Sequence, residues 1–309
     1  MQPSDSQKPY ALTQNRHEKI LNKILAYYFP VSKQPSKNKT VYYLAGQPGS
    51  GKTTVRKFLL SNPEVQKSTL VLNTDELREF HPSYKKLCRN PELYKDAPFL
   101  VNYDANKWFQ ALLQEGVKRN LNLIFDTTLG NKDIKLFKDG MESFVSNGYK
   151  AELHVLAVPK VASKLGIYLR YESQMFEKGH GRFVLMDTHD ANFKNLSPNV
   201  ATMIDGNALS NVSVYKKKIG IDLKGNLINN MVDCIYQNTK PLQSEVLKAL
   251  ETGRDLNFND NEQTYFKSRL LMTERYIKAR GGDINTFRSD LSELRNYLNE
   301  TKQNKSLSL

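Results

Sequence analysis

Cysteine is nearly absent. The 309 residues hold two, Cys88 and Cys234, far apart and in no metal or redox spacing. That excludes a disulfide framework and makes a reducing compartment the expectation. No run of about 18 apolar residues occurs, so no transmembrane helix is expected. Residues 1–16 are polar and lack the apolar stretch of a signal peptide. Acidic residues are in short supply, 32 against 45 Lys and Arg, which leaves a net charge of +13. The excess is spread along the chain, as on a lysine-rich solvated surface. It would also draw anionic nucleotides or nucleic acid. No nucleic-acid-binding motif is present, so neither nucleic acid nor a membrane is an expected partner. Internal repeats and low-complexity blocks are missing too.

What is present is organised around one stretch. Val41-Tyr42-Tyr43-Leu44-Ala45 reads as a buried strand. Gly46-Gln47-Pro48-Gly49-Ser50-Gly51-Lys52-Thr53-Thr54 follows at once, then a helix-like segment with Val55, Phe58 and Leu59. This is a phosphate-binding loop in its required context, strand before and helix after. Its glycines let backbone amides curl round phosphates. Lys52 would reach the β- and γ-phosphates, and the Thr53 hydroxyl would ligate Mg²⁺. ATP or GTP is the expected cofactor.

The rest of the chain alternates strands and helices. Residues 1–11 read as disordered. A helix follows over 15–29, opened by a capping-box spacing Asn15-x-x-Glu18, and residues 31–39 read as a linker. Further strands are expected at 69–72, 121–126 and 153–158. Helices are expected over 99–117, 131–146 and 160–177, and from the Gly179–Arg182 break to about 206. Residues 82–98, rich in prolines and turn residues, read as irregular. Trp108 falls on the apolar face of its helix, as a core residue would. Residues 212–217 and 220–228 suggest a fifth strand and a hairpin turning at Lys224-Gly225-Asn226. Beyond 238 the pattern is helical only, with apolar steps of three and four through Leu291, Leu294 and Leu298. The expected fold is α/β: a P-loop kinase-type three-layer sandwich with a mostly parallel sheet and a helical C-terminal extension. The expected divisions are 1–39, an N-terminal helix and linker; 40–237, the kinase domain; and 238–309, the extension. Such sheets bind ligands at the carboxyl ends of their strands, where Gly46, Asp75 and Asp126 all fall.

Two carboxylates there carry the chemical reading. Asp75 is either the cap of a helix or the base that activates an acceptor hydroxyl. Asp126 ends an apolar strand and would hold Mg²⁺ through water or bind the acceptor, with Thr127 and Thr128 beside it.

Four stretches resemble the zeta-toxin family of bacterial toxin–antitoxin systems. They are Gly46–Thr53; Asp75-x-x-Arg78-x-x-His81-Pro82-x-Tyr84; Ala157-Val158-Pro159-Lys160 with Leu165-Gly166 and Arg170-Tyr171-Glu172; and Arg182 with His189-Asp190 and Asn195-Leu196. The resemblance runs from about residue 12 to 228. It implies a kinase that phosphorylates a hydroxyl of UDP-N-acetylglucosamine or a related UDP-sugar, with Asp75 as base. Arg78, His81, Asp126, Thr127 and Thr128 would lie on the acceptor side. Arg170 and Arg182 would clamp the transferring phosphoryl group, which needs forked donors that keep their protons. The alternative for Arg170 is a surface pair with Glu172 or Glu177. The last of the four stretches would be the region that closes over ATP. A small helical antitoxin blocking the ATP site is the implied partner. The family carries Glu-Gly where this chain has Asp126-Thr127, which leaves other acceptors open: an NAD ribose, an antibiotic or a nucleic-acid end.

A rival from another class is a nucleotide-gated effector that engages a partner through its C-terminal helices. The expected location is the bacterial cytoplasm, or secretion as an effector without a classical signal peptide.

Overall fold

The computed structural model of the chain describes residues 2–130, 133–206, 208–221 and 227–306. Among these, six strands form one sheet: β1 (Thr40–Ala45), β2 (Thr69–Leu72), β3 (Asn122–Asp126), β4 (Lys150–Ala157), β5 (Leu209–Ile221) and β6 (Leu227–Asn238). Their order is β2-β3-β1-β4-β5-β6. The first five run parallel, and β6 returns antiparallel to β5. The helices, in chain order, are α1 (Gln14–Tyr28), α2 (Thr53–Leu59), α3 (Pro63–Lys67), α4 (Thr74–Arg78), α5 (Tyr84–Arg89), α6 (Ala97–Leu100), α7 (Asn102–Lys118), α8 (Ile134–Ser146), α9 (Lys160–Lys178), α10 (Met186–Ile204), α11 (Gln243–Arg254), α12 (Asp260–Ala279), α13 (Ile284–Asp290) and α14 (Ser292–Ser306).

Strand alternation sorts the core onto two faces. Val41, Tyr43 and Ala45 of β1 point to one face, where α1, α7, α8, α10 and α11 pack through Ile24, Trp108, Met141, Val200 and Leu250. Leu44 points to the other, covered by α2, α9 and the C-terminal α12–α14 through Val55, Leu165, Phe266, Phe287 and Leu294. Both faces of a parallel sheet are thereby buried, which its apolar strands demand. The three-layer architecture matches the expectation, and the helices beyond 238 lie on both outer layers. No helix among the described residues is long and apolar enough to cross a membrane.

Several local readings change. Residues 5–10 are not disordered. They form hydrogen-bonded turns, Gln7 Nε2 donates to the Phe99 carbonyl at 2.9 Å, and Tyr10 packs on a small cluster around Tyr84 and Val101. Helix α1 starts at Gln14 with Thr13 as its cap and no side-chain cap bond, so Asn15 is inside the helix. The entry angle is set from outside, by Asp104 Oδ2 accepting the Leu12 amide at 3.1 Å. The span 82–98 holds α5 and the start of α6. Pro98 sits in the first turn of α6, where its missing N–H costs nothing. The expected helix over 99–117 is divided at Val101 between α6 and α7. The two strand pieces at 212–217 and 220–228 belong to one long β5 and to β6, which runs on to Asn238. An edge strand is paired on one side only, so its apolar alternation is weak and easily missed. The turn at 224–226 and the first residues of the helix expected from 131 lie outside the described residues.

Candidate active site

The loop after β1 is fixed from behind by α9. Gly49 has φ +76°, and a Cβ there would sit 2.0 Å from the Ser163 carbonyl oxygen. Gly166 answers it: a Cβ on Gly166 would sit 2.2 Å from the Gly49 carbonyl oxygen. Only two glycines permit this approach of backbone to backbone. Gln47 is buried and donates from Nε2 to the Val158 carbonyl at 2.8 Å and to Ser163 Oγ at 3.2 Å. Ser163 Oγ lies 2.8 Å from His189 Nε2, and His189 Nδ1 lies 2.8 Å from Asp190 Oδ1. The ionised carboxylate takes the proton on Nδ1, which leaves Nε2 and the Lys160 carbonyl, each 2.8 Å away, as acceptors facing the serine hydroxyl. Lys160 and Lys164 hold the other carboxylate oxygen of Asp190 at 2.8 and 3.3 Å. The pair His189-Asp190, expected in the region closing over ATP, forms a brace behind the loop. Sequence reading gave no sign of this chain of contacts.

Lys52 Nζ donates to the Gly46 carbonyl at 2.7 Å. Burial lowers its pKa, Asp126 raises it, and the charges of Arg170 and Arg182 lower it again. These four charges are therefore close enough to act on one another. Thr53 is exposed at the loop's end, and the Thr54 amide closes the turn onto the Gly51 carbonyl at 2.9 Å.

Asn73 ties the two carboxylates to one corner. Its Oδ1 caps α4 by accepting the Asp75 amide at 2.9 Å, and its Nδ2 donates to Asp126 Oδ2 at 3.2 Å. The cap is thus Asn73, which frees the Asp75 side chain for other work. That side chain is paired with Arg78 on one oxygen and Arg182 on the other. Arg78 is steadied by Asn102 Oδ1, which accepts from Nη2 at 2.8 Å. Asp126 is mostly buried and has Arg56 Nη1 3.9 Å away. Burial pushes the Arg182 guanidinium down to about 10.

Arg170 is not in a surface pair. Glu172 is buried and accepts from Arg280 Nε and Nη2 at 2.8 and 2.7 Å, a contact supplied by the end of α12. Arg170 is left with Nε and Nη2 buried and, among the described residues, without a hydrogen-bond partner. Burial lowers its pKa, and Tyr84 and Asp126 raise it. A guanidinium that is desolvated and unpaired is set up to receive an anion.

Three of the expected acceptor residues have partners of their own. His81 is buried against Trp108, 3.7 Å from Asp104 Oδ2, and its Nδ1 accepts the Ser83 amide at 3.2 Å. Asp104 also holds His17 Nδ1 at 2.5 Å, so His81 belongs to the joint between α1, α7 and the loop after α4. Thr127 and Thr128 turn their hydroxyls into their own loop, accepting the amides of Leu129 and Gly130 at 3.2 and 3.3 Å. Asn199 and Asn195 of α10 clamp that loop through the Leu129 and Gly130 carbonyls at 2.6 and 3.0 Å.

The family model described as Zeta toxin matches residues 26–238. The chain belongs to the zeta-toxin family. It is 28% identical to Toxin zeta of Enterococcus hirae over 219 residues, 71% of this chain and 72% of that protein. It is 29% identical to Toxin zeta of Streptococcus pyogenes over 196 residues, 63% of this chain and 66% of that protein. Among solved structures, a chain from the PezAT chromosomal toxin–antitoxin system of Streptococcus pneumoniae matches with a TM-score of 0.66 at 20% identity. The match covers 87% of this chain and 98% of that one, and the likeness is one of fold. The zeta-toxin-type P-loop of this chain, with its kinase-like fold, is a nucleotide-binding site.

Proposed function

We propose that this zeta-toxin-family protein transfers the γ-phosphoryl group of ATP or GTP to a hydroxyl of UDP-N-acetylglucosamine or a related nucleotide-sugar. The observation that carries the reading is the convergence of Lys52, Asp126, Arg170 and Arg182 around the loop, with Asp75 bound to Arg182. Lys52 and the loop amides hold the phosphates. Arg170, whose buried Nε and Nη2 have no hydrogen-bond partner among the described residues, takes the transferring group, and Arg182 leaves Asp75 to join it. Asp75 then accepts the proton of the acceptor hydroxyl as the oxygen attacks. Two arginines on the phosphoryl oxygens stabilise the charge that spreads over them.

The donor set of Thr53 hydroxyl and Asp126 carboxylate fits Mg²⁺, which takes few protein ligands and completes its shell with phosphate and water oxygens. When bound it neutralises phosphate charge. The position of Asp126 beside Lys52 and Arg170 supports this role over acceptor binding. A cavity of about 180 Å³ beside the loop, lined by Gly49, Ser50, Gly166, Lys217, Phe258 and Tyr265, suits the nucleoside end. The toxin–antitoxin origin of the PezAT structure supports a small antitoxin as partner.

The test is transfer of labelled γ-phosphate from ATP and GTP to a panel of UDP-sugars, NAD and RNA ends, read by mass spectrometry. The expected result is one added phosphate on a UDP-sugar, absent with Lys52→Ala. Phosphate on NAD or RNA alone would replace the acceptor and keep the kinase. No transfer to any of them would remove the reading.

A further inference from the structure

Strand β5 brings a lysine to the phosphate loop that the loop motif does not announce. Lys217 stands one residue beyond the last parallel pairing of β5 with β4, Ala157 with Lys216. That is the carboxyl edge of the sheet, the same edge from which the loop springs after β1. Its side chain lies against Gly51. A Cβ placed on that glycine would be 2.5 Å from Lys217 Nζ and 2.6 Å from Cε, and would meet nothing else within 4 Å.

The neighbouring lysine makes the contrast. Lys218 is exposed and lies 3.3 Å from Asp233 on β6. Lys217 has no such partner: among the described residues, no carboxylate comes within ion-pair distance of it. Burial alone pushes its pKa down to about 8. Taking an ammonium out of water without an acid is costly, and the cost is offset when an anion arrives. The cavity beside the loop opens at the same place, with Lys217, Gly49 and Ser50 in its wall. Lys52, by contrast, feels Asp126, Arg170 and Arg182, which mark the transfer side.

We propose that Lys217 is a second phosphate-binding cation of the loop, holding the nucleoside-side phosphates of the bound triphosphate while Lys52 serves the γ end. The proposal rests on the kinase reading above and adds a binding residue to the same site. It implies that the loop motif alone understates the positive charge the triphosphate meets. It also makes β5 part of the nucleotide site, with Gly51 the point of contact.

The experiment is titration of the full chain with fluorescent, non-hydrolysable ATP and GTP analogues in the presence of Mg²⁺. Lys217→Met keeps the stem and removes the charge, Lys217→Arg restores a cation, and Lys218→Met is the control. Lys217→Met is expected to weaken binding by about tenfold or more, the scale of a lost charge-assisted hydrogen bond. The arginine variant should recover most of that loss, the control should match wild type, and the melting midpoint of the ligand-free protein should hold or rise. Lys217→Met binding within about twofold of a wild type that binds well would overturn this proposal alone. So would a weakened variant whose ligand-free midpoint has also fallen by more than about 5 °C, with arginine no better, since packing would then be the role. A wild type that binds neither analogue would overturn the kinase reading together with this one.

Discussion

The phosphate loop and the Asp75 corner lie in the same cleft and are held in opposite ways. The loop is locked by shape: two facing glycines, a buried glutamine and the Ser163–His189–Asp190 brace leave it little freedom. The corner is held by charge: the Asp75 side chain is shared between Arg78 and Arg182. The loop has to be ready before the nucleotide arrives, since pre-organised donors need no reordering at the moment of transfer. On the proposed kinase reading the corner would have to change when it arrives, because a carboxylate bound to two guanidinium groups is a poor base. Arg182 moving from Asp75 to the phosphoryl group would arm the base and clamp the phosphate in one step. The Arg182 amide donates to Gln174 Oε1 of α9 at 2.9 Å, so such a movement would be one of the side chain.

The largest expected effects come from breaking the charge-locked corner. Arg182→Ala should lower single-turnover transfer by about 10³–10⁵, the range for an arginine on a transferring phosphoryl group. Asp75→Asn should lower it by about 10²–10⁴, as for loss of a general base. The two variants should separate in nucleotide binding. Asp75→Asn releases Arg182 and should bind ATP as tightly as wild type or more so, whereas Arg182→Ala should bind it more weakly. Titration alongside the rate measurement checks both. Equal weakening in the two variants would mean that the pair acts as a structural clamp.

A smaller effect is expected from the shape-locked loop. Gly166→Ala drives a Cβ towards the Gly49 carbonyl oxygen, which is backbone and cannot swing aside. Overpacking of this kind costs about 1–3 kcal/mol, and here the cost falls on the loop. Thermal unfolding should show the loss, and nucleotide affinity should fall with it. Gly140→Ala is the matched control. It lies in α8 with nothing within 4 Å of a new Cβ, so the variant should gain up to about 1 kcal/mol from helix propensity with transfer unchanged.

The two regions were unequally legible in the sequence. The loop, the strands that precede the site residues, and the carboxyl-edge placement of Asp75 and Asp126 follow from local pattern, because strand, turn and helix signals lie within a few residues of one another. The brace behind the loop does not, since Gln47, Ser163 and His189 meet from three separate segments and no local spacing says that they touch. Asn73 was within reach: an asparagine one turn ahead of acidic residues is a cap signal, and it removes the cap reading of Asp75. His81 was drawn to the cleft by its spacing from Asp75, but the residue that claims it, Asp104, is remote in the chain. Arg170 could not be settled locally either, because its rival partner Glu172 is taken by Arg280 from the far end of α12.

The smallest effect separates the brace from the proposed catalytic charges by its response to acid. Burial alone would raise the Asp190 carboxyl, but hydrogen bonds from Lys160 and His189 and the Lys164 charge hold it down at about 2. His189 is also depressed, by burial first, against the pull of Asp190. Both shifts have the same sign in linkage: the unfolded chain binds protons more readily than the folded one. Stability from Asp190 is therefore present above about pH 4, the ordinary carboxyl value, and is lost as pH falls towards 2. The neutral His189 adds to the loss below its ordinary range, so the folded protein should begin to weaken as pH drops past about 6.5. Asp190→Asn should flatten the carboxyl part of that decline. The side chain is about a third exposed, so screening keeps the cost small, about 1–2 °C in melting midpoint at neutral pH. Transfer should stay close to wild type, because the brace acts through the loop's backbone and touches no reacting atom. A midpoint difference that persisted undiminished at pH 2 would show that Asp190 works by packing instead of charge.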